Sequence, residues 1–340
     1  MWWTIRGKKN KHISTFQVII LGFLLVILVG SLCLTLPIAT QDGKGATFMD
    51  SLFTATSAVC VTGLIVEDTA TYWSTFGQGV ILFLIQIGGM GVVTISVMIA
   101  IISGKKISLM QRNTMREAIS ARQVGGIVKM TKFILKTALT VEMIGALVML
   151  PVFIRDFGVI KGIWYAIFHS VSAFCNAGFD LMGVNEKFSS LTGYSAQPII
   201  NLTIMALIII GGIGFLTWED IQRNRWHFSK YRMQSKVIIT MTGLLIFIPA
   251  LWFFFCEFSD LPLGERILSS FFQSVTPRTA GFNTVDLTLI SEAGILIMIM
   301  LMLTGGSPGS TAGGMKTTTV AVLISSSMAV FKQKEDAHFF

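Results

Sequence analysis

The chain has 340 residues, of which 53% are hydrophobic and 13% charged, and a mean hydropathy of +0.72; soluble domains carry about 25% charged residues. The net charge is +8, but the basic residues flank apolar runs and form no stripe of their own, so the composition sets aside a soluble globular class and nucleic acid as a partner. Cys33, Cys60, Cys175 and Cys256 show no CxxC or metal spacing. His12, His169, His227 and His338 form no cluster, and His169, inside an apolar segment, reads as structural.

In chain order, a basic tail at 1–12 carries Arg6, Lys8, Lys9 and Lys11. The run at 13–38, ISTFQVIILGFLLVILVGSLCLTLPI, follows it. A signal peptide is the rival reading, but the apolar run is too long for an h-region and no small-residue cleavage site follows. A retained membrane helix is therefore expected. A short segment, TFMDSLFTATSA at 47–58, is followed by AVCVTGL at 58–64 and an apolar return at 76–102. A basic linker at 105–132 comes next, with Lys105, Lys106, Arg112, Arg116, Arg122, Lys129 and Lys132 against Glu117.

The same order of parts then recurs. An apolar span at 133–154 precedes GIWYAIFHSVSA at 162–173, the join AFCNAGF at 173–179 and a return at 197–217. A second basic linker at 222–235 leads to a span at 236–256, GERILSSFFQSV at 264–275 and the join SVTPRTAGF at 274–282. The last return, 289–331, is interrupted, and residues 332–340 close the sequence. Each short segment is about 12 residues, roughly 18 Å as a helix, too short for a hydrocarbon core of ~30 Å. Each join ends on a small residue, a glycine and an apolar residue, and each return carries a glycine cluster: IGGMG at 87–91, IGGIG at 210–214 and TGGSPGSTAGG at 304–314.

Agreement of three copies in one order marks an internal repeat. The expected fold is an all-α integral membrane protein of tandem helix–re-entrant pore helix–helix repeats: repeat 1 at 13–104, repeat 2 at 133–221 and repeat 3, with a broken last helix, at 236–331. The loops between basic segments carry Asp42, Asp50, Glu67, Asp68, Asp180, Glu186, Glu257, Asp260, Asp286 and Glu292. The basic segments, the N-terminus among them, are therefore expected in the cytoplasm. Non-helical backbone at membrane depth is tolerated only where it is buried in protein or lines water. Polar joins at one point of each repeat thus suggest a pore whose carbonyls replace a cation's hydration shell, with pore-helix C-termini adding negative potential. The glycine clusters have a plainer reading as close helix packing.

At AVCVTGL, AFCNAGFD, VTPRTAGFN and GGSPGSTAGGMKT the chain resembles the Trk/Ktr/HKT superfamily of potassium transporters, most closely the membrane subunit of bacterial Ktr systems. The resemblance covers nearly the full sequence and implies a pseudo-fourfold, channel-like architecture of which three of four repeats are present, the fourth being absent after residue 331. It implies a potassium filter drawn from Val59, Cys60, Val61, Thr62 and Gly63, from Cys175, Asn176, Ala177 and Gly178, and from Thr276, Thr279, Ala280 and Gly281. A serine at the first filter glycine accompanies sodium permeation in this family, so Gly63 favours potassium. A cation in the ion path would repel potassium, so Arg278 is expected behind the filter, bonding carbonyls or an acidic partner.

The family's gating loop maps onto Gly305, Gly306, Ser307, Gly309, Ser310, Thr311, Gly313 and Gly314, with Lys316 just after, and its glycines suggest a flexible segment. The resemblance further implies a homodimer in the bacterial cytoplasmic membrane and a cytoplasmic nucleotide-binding regulatory subunit docked on the basic inner loops. No Walker motif lies in this chain, so nucleotide would reside on that partner, and no cofactor other than transported K+ is expected here, with Na+ dependence left open. A secondary transporter with broken helices and a truncated chain inactive alone are the alternatives. An enzyme is disfavoured, since only the isolated Glu142 and Lys316 stand as acid or base within the spans, and Glu142 reads better as an inter-helix polar contact.

Overall fold

The computed structural model describes residues 15–91, 94–95, 114, 116–117, 126–184, 186–225 and 227–333. The expected basic tail at 1–12, most of the linker at 105–132 and residues 334–340 lie outside the described residues.

Among the described residues the structure is helical, with two isolated bridges, Thr40 to Trp73 and Thr304 to Met315, and no strand. Repeat 1 comprises α1 (Thr15–Leu34), α2 (Phe48–Val59) and α3 (Thr75–Met90); repeat 2 comprises α4 (Ile127–Phe157), α5 (Val159–Phe174), α6 (Pro198–Gly212) and α7 (Phe215–Asn224). Repeat 3 comprises α8 (Met233–Trp252), α9 (Leu263–Val275), α10 (Glu292–Leu303) and α11 (Thr317–Phe331). Local chemistry sets several starts. Thr47 accepts a hydrogen bond from the Asp50 amide at the head of α2, and Ser74 and Ser291 accept from Gly77 and Gly294 at the heads of α3 and α10. Pro198 opens α6, where its missing N–H costs nothing. Within α8, Pro249 withholds a donor, and the helix ends in a π turn over Phe253–Glu257.

Three helical stretches, Phe16–Leu34, Val128–Phe157 and Met233–Glu257, are long and apolar enough to cross a bilayer. Their outward residues are apolar: Leu21, Leu25 and Leu32 on α1, Met143 and Leu147 on α4, and Phe247 and Ile248 on α8 are exposed. Polar groups turn inward, with Glu142, Asn201, Gln273 and Ser274 all buried. This inversion of the usual soluble pattern fits lipid as the surrounding medium, since in hydrocarbon each backbone or side-chain polar group needs a partner inside the protein.

The return at 197–217, expected as one span, is not one continuous helix. It breaks between α6 and α7 with a bend of 99°. Gly214 at the break has φ +91°, and α3 likewise ends at Gly91 with φ +81°. The third return breaks as expected, between α10 and α11. Behind the break in repeat 2, Asp220 anchors the basic end of the bundle. Its carboxylate accepts from the Ser235 hydroxyl at 2.6 Å and the Arg232 amide at 3.1 Å, and pairs with the Arg232 guanidinium at 3.3 Å.

Candidate functional site: three filter strands and the loop beneath them

The short helices α2, α5 and α9 end at Val59, Phe174 and Val275, and each runs into one join. In all three joins two residues have positive φ with one ordinary residue between them: Val61 (55°) and Gly63 (78°), Asn176 (58°) and Gly178 (72°), Thr279 (81°) and Gly281 (92°). The same spacing of positive φ gives the three joins the same kind of turn. The turns are held from behind by the preceding helix. Thr62 and Ala177 donate their amides to the carbonyls of Ser57 and Ser172 at 2.8 Å, and Gly281 donates to Thr276 at 3.2 Å. The hydroxyls of Ser172 and Thr276 then donate to the carbonyls of Phe179 and Phe282, at 2.7 and 2.6 Å.

The strands lie against one another in a fixed rotational order. A methyl group at Gly63 would lie 2.6 Å from the carbonyl oxygen of Ala177, and one at Gly178 would lie 2.2 Å from that of Ala280. Each carbonyl thus faces the glycine of the preceding repeat, and any side chain there would collide with it. At Gly281 the nearest atom to such a methyl is the Gly178 Cα at 3.8 Å, so no carbonyl faces it among the described residues. Strand 2 is buried between the other two, while Cys60, Thr62 and Gly281 are exposed. The predicted filter residues are therefore brought together as three walls around one side.

The glycine clusters act at the ends of the short helices. A methyl at Gly88 would sit 2.1 Å from the Val59 carbonyl, and one at Gly211 would sit 2.0 Å from the Phe174 carbonyl. Close packing is thus their role, as the plainer reading of the sequence held, and it seats the negative ends of α2 and α5 beneath the joins.

The segment between α10 and α11 folds under strand 2. Ser307 and Thr311 donate their amides to the carbonyls of Gly212 and Gly211, at 2.9 and 3.2 Å, and the Phe215 amide donates to Gly309 at 2.7 Å. The Thr311 hydroxyl donates to the Phe174 carbonyl at 2.9 Å and accepts from Asn176 Nδ2 at 2.9 Å. Expected as flexible, the segment is instead densely tied. Gly306 donates to Gly313, Thr317 donates to Gly306, both at 3.1 Å, and the Ser310 hydroxyl donates to the Ser307 carbonyl at 2.7 Å. Its glycines allow the two limbs to touch: a methyl at Gly305 would lie 2.1 Å from the Gly313 carbonyl. Gly314 faces the Thr279 methyl of strand 3, so the loop spans both strands. Lys316 is half-buried and folds back to donate from Nζ to the Ala312 carbonyl at 2.9 Å.

Two sequence expectations resolve differently. Glu142 is buried and accepts from Gln86 Nε2 at 3.0 Å, joining repeat 2 to repeat 1 as an inter-helix contact. Arg278 lies behind strand 3, 7% exposed, but bonds neither a carbonyl nor an acid among the described residues, and its Nε has no partner. The turn from Thr276 to Ala280 uses the Thr276 and Pro277 carbonyls for its own amides, and Arg278 lines a small cavity with Asn176 and Thr242.

Sequence reasoning missed the outer braces. Asp68, buried, accepts amides from Ala70 and Thr71, and from Phe188 of repeat 2 at 3.0 Å. Ser190 of repeat 2 accepts the Asn283 amide of repeat 3 at 3.1 Å. The recurring Asp and Ser in these loops were a visible signal, though their partners lie about 100 residues away and no local pattern names them. At the same acidic end, Asp42 is held below the usual carboxylate range by the Lys44 amide, and Asp286 by the Thr288 hydroxyl.

Comparison with known proteins agrees with this architecture. Residues 2–339 match the family profile described as TrkH, cation transport protein. The chain is 43% identical over 343 residues to the potassium/sodium uptake protein NtpJ of Enterococcus hirae, covering 99% of this chain and 75% of that protein. It is 39% identical to the Ktr system potassium uptake protein B of Bacillus subtilis, covering 95% of this chain and 72% of that one. The crystal structure of the potassium transporter TrkH from Vibrio parahaemolyticus superposes with a TM-score of 0.69 at 20% identity, covering 96% of this chain and 64% of that chain. This chain therefore spans less than two thirds of that solved relative, and about three quarters of the two sequence relatives. With the profile match over residues 2–339 and relatives 43% and 39% identical over nearly the whole chain, the chain belongs to the TrkH family of cation transport proteins.

Proposed function

We propose that the chain is a potassium-uptake subunit whose filter is walled by the carbonyls of Val59–Gly63, Cys175–Gly178 and Thr276–Gly281. The observation that carries this reading is the same alternation of positive φ in all three joins, which aligns carbonyls as a dehydrating cage requires. Relatives named for potassium uptake support the choice of ion. Potassium sheds water at the carbonyls and is drawn there by the C-terminal ends of α2, α5 and α9. It then passes the loop at 305–314 when that loop moves off Gly211, Gly212 and Phe174. A further wall beside Gly281 completes the cage.

The partner arrangement belongs to the same reading. The chain works as a homodimer in the bacterial cytoplasmic membrane, with its N-terminus and basic loops in the cytoplasm. A nucleotide-binding regulatory subunit docks on those loops; the name "Ktr system" of the relatives supports a multi-component assembly. Sodium coupling is compatible with the name of the Enterococcus hirae protein. No bond is made or broken in this process.

Potassium-limited growth of an uptake-deficient bacterium tests the proposal, with this chain expressed alone and together with the fourth-repeat segment of a relative. Rescue in either arm that disappears in Gly178→Ser supports the filter. Rescue that persists in Gly178→Ser contradicts it.

A further inference from the structure

Behind the second and third filter strands, Asn176, Thr242, Val275, Arg278, Gly212 and Gly306 line one small cavity. Three of these residues bring polar atoms that are buried and lack partners: Asn176 Oδ1, Thr242 Oγ1 and Arg278 Nε. A buried donor or acceptor left unpaired is costly, and here three belong to residues that line one cavity. They come from strand 2, from α8 and from strand 3, while Gly306 belongs to the loop beneath. About 10 Å³ of the cavity is open to the centre of a water molecule, close to the lower limit of roughly 10–15 Å³ for holding one.

The orientation of Asn176 is fixed independently. Thr311 uses its proton on the Phe174 carbonyl and so must accept from Asn176, which identifies the bonded atom as the amide nitrogen and leaves the amide oxygen as the unpartnered atom. The cavity therefore offers one N–H donor, one carbonyl-type acceptor and one hydroxyl oxygen. Water matches that set, accepting from Arg278 Nε and donating its two protons to Asn176 Oδ1 and Thr242 Oγ1. A metal cation would face the guanidinium charge, and an anion would face the Asn176 oxygen.

We propose that this cavity is a binding site for a single ordered water, held by Arg278, Asn176 and Thr242, that locks filter strands 2 and 3 to each other and, through Asn176 and Thr311, to the loop below. Arg278 and Thr242 are then positioning residues: neither meets the ion, and both set the spacing of the walls that do. A movement of the loop that breaks the bond between Asn176 and Thr311 also frees the side chain that holds the water, so the state of the loop reaches the filter. The site rests on the filter reading above for its consequence, but not for its existence.

Two measurements separate these. A high-resolution cryo-electron microscopy map of the full chain in lipid nanodiscs should show a solvent peak about 2.7–3.2 Å from Arg278 Nε, Asn176 Oδ1 and Thr242 Oγ1. The peak should vanish in Thr242→Val, which keeps the shape without the hydroxyl, and persist in Thr242→Ser. A wild-type map without the peak, a peak unchanged in Thr242→Val, or a guanidinium paired with a carboxylate or lipid phosphate overturns the site, whether or not the protein transports potassium. In flux assays, Thr242→Val should lower the preference for potassium over sodium on the order of tenfold, the scale of one lost hydrogen bond, with Thr242→Ser near wild type. Unchanged preference in Thr242→Val after loss of the peak overturns the positioning role.

Discussion

At the scale of single residues, the three filter glycines are not equivalent. Gly63 and Gly178 each face a carbonyl that a methyl group would strike, while Gly281, with a φ of +92°, meets nothing nearer than the Gly178 Cα at 3.8 Å among the described residues. Gly178→Ala should therefore reduce potassium uptake by at least tenfold, as potassium-dependent growth would show, and Gly63→Ala, whose methyl would lie 2.6 Å from the Ala177 carbonyl, should reduce it likewise. Overpacking of this kind costs about 1–3 kcal/mol. Uptake unchanged in either variant would contradict the close approach of the strands. The sequence made the glycines legible because a small residue, glycine and apolar residue recur in each join. It did not reveal that the Asn176 side chain leaves the filter for the loop below, nor what Arg278 meets. The first depends on Thr311, far off in the chain, and the second on a cavity that Thr242 and Asn176 also line, and no spacing rule connects them.

Elements show a similar division. The short helices were readable because 12 residues cannot span a bilayer, and the interruption at 304–314 because so many glycines cannot sustain a helix. The break in the second return was not readable: apolar residues continue on both sides of Gly212–Gly214, and only the turned backbone at Gly214 separates α6 from α7. Two expectations follow for these elements. Gly211→Val should place a side chain against the Phe174 carbonyl and lower the thermal midpoint in detergent, with a cost of about 1–3 kcal/mol. An unchanged midpoint would refute the packing role of that cluster. Thr311→Val should remove the bonds from the loop to Phe174 and Asn176, at about 1 kcal/mol each, and so favour the displaced loop. Faster cation leak than wild type is the expected result in proteoliposomes, and a slower one would contradict the loop's role as a closure.

At the scale of the whole molecule, acidic loops and basic linkers alternate between the apolar spans, and the positive-inside rule turns that alternation into a testable orientation. Outer braces such as Asp68 with Phe188 and Ser190 with Asn283 hold the three repeats around their joins. An Asp260→Cys variant should react with a membrane-impermeant maleimide added outside intact cells, over the background of the native cysteines, and Arg223→Cys should not. The reverse pattern would invert the orientation. Selection of a potassium-sized ion by three carbonyl-lined strands is tested by radioactive rubidium influx competed by unlabelled potassium or sodium. The measurement uses cells expressing this chain with the fourth-repeat segment of a relative. Potassium should abolish influx at concentrations where sodium does not, and Gly178→Ser should erase this difference. Equal competition by the two ions in wild type, or a preference untouched by Gly178→Ser, would contradict it.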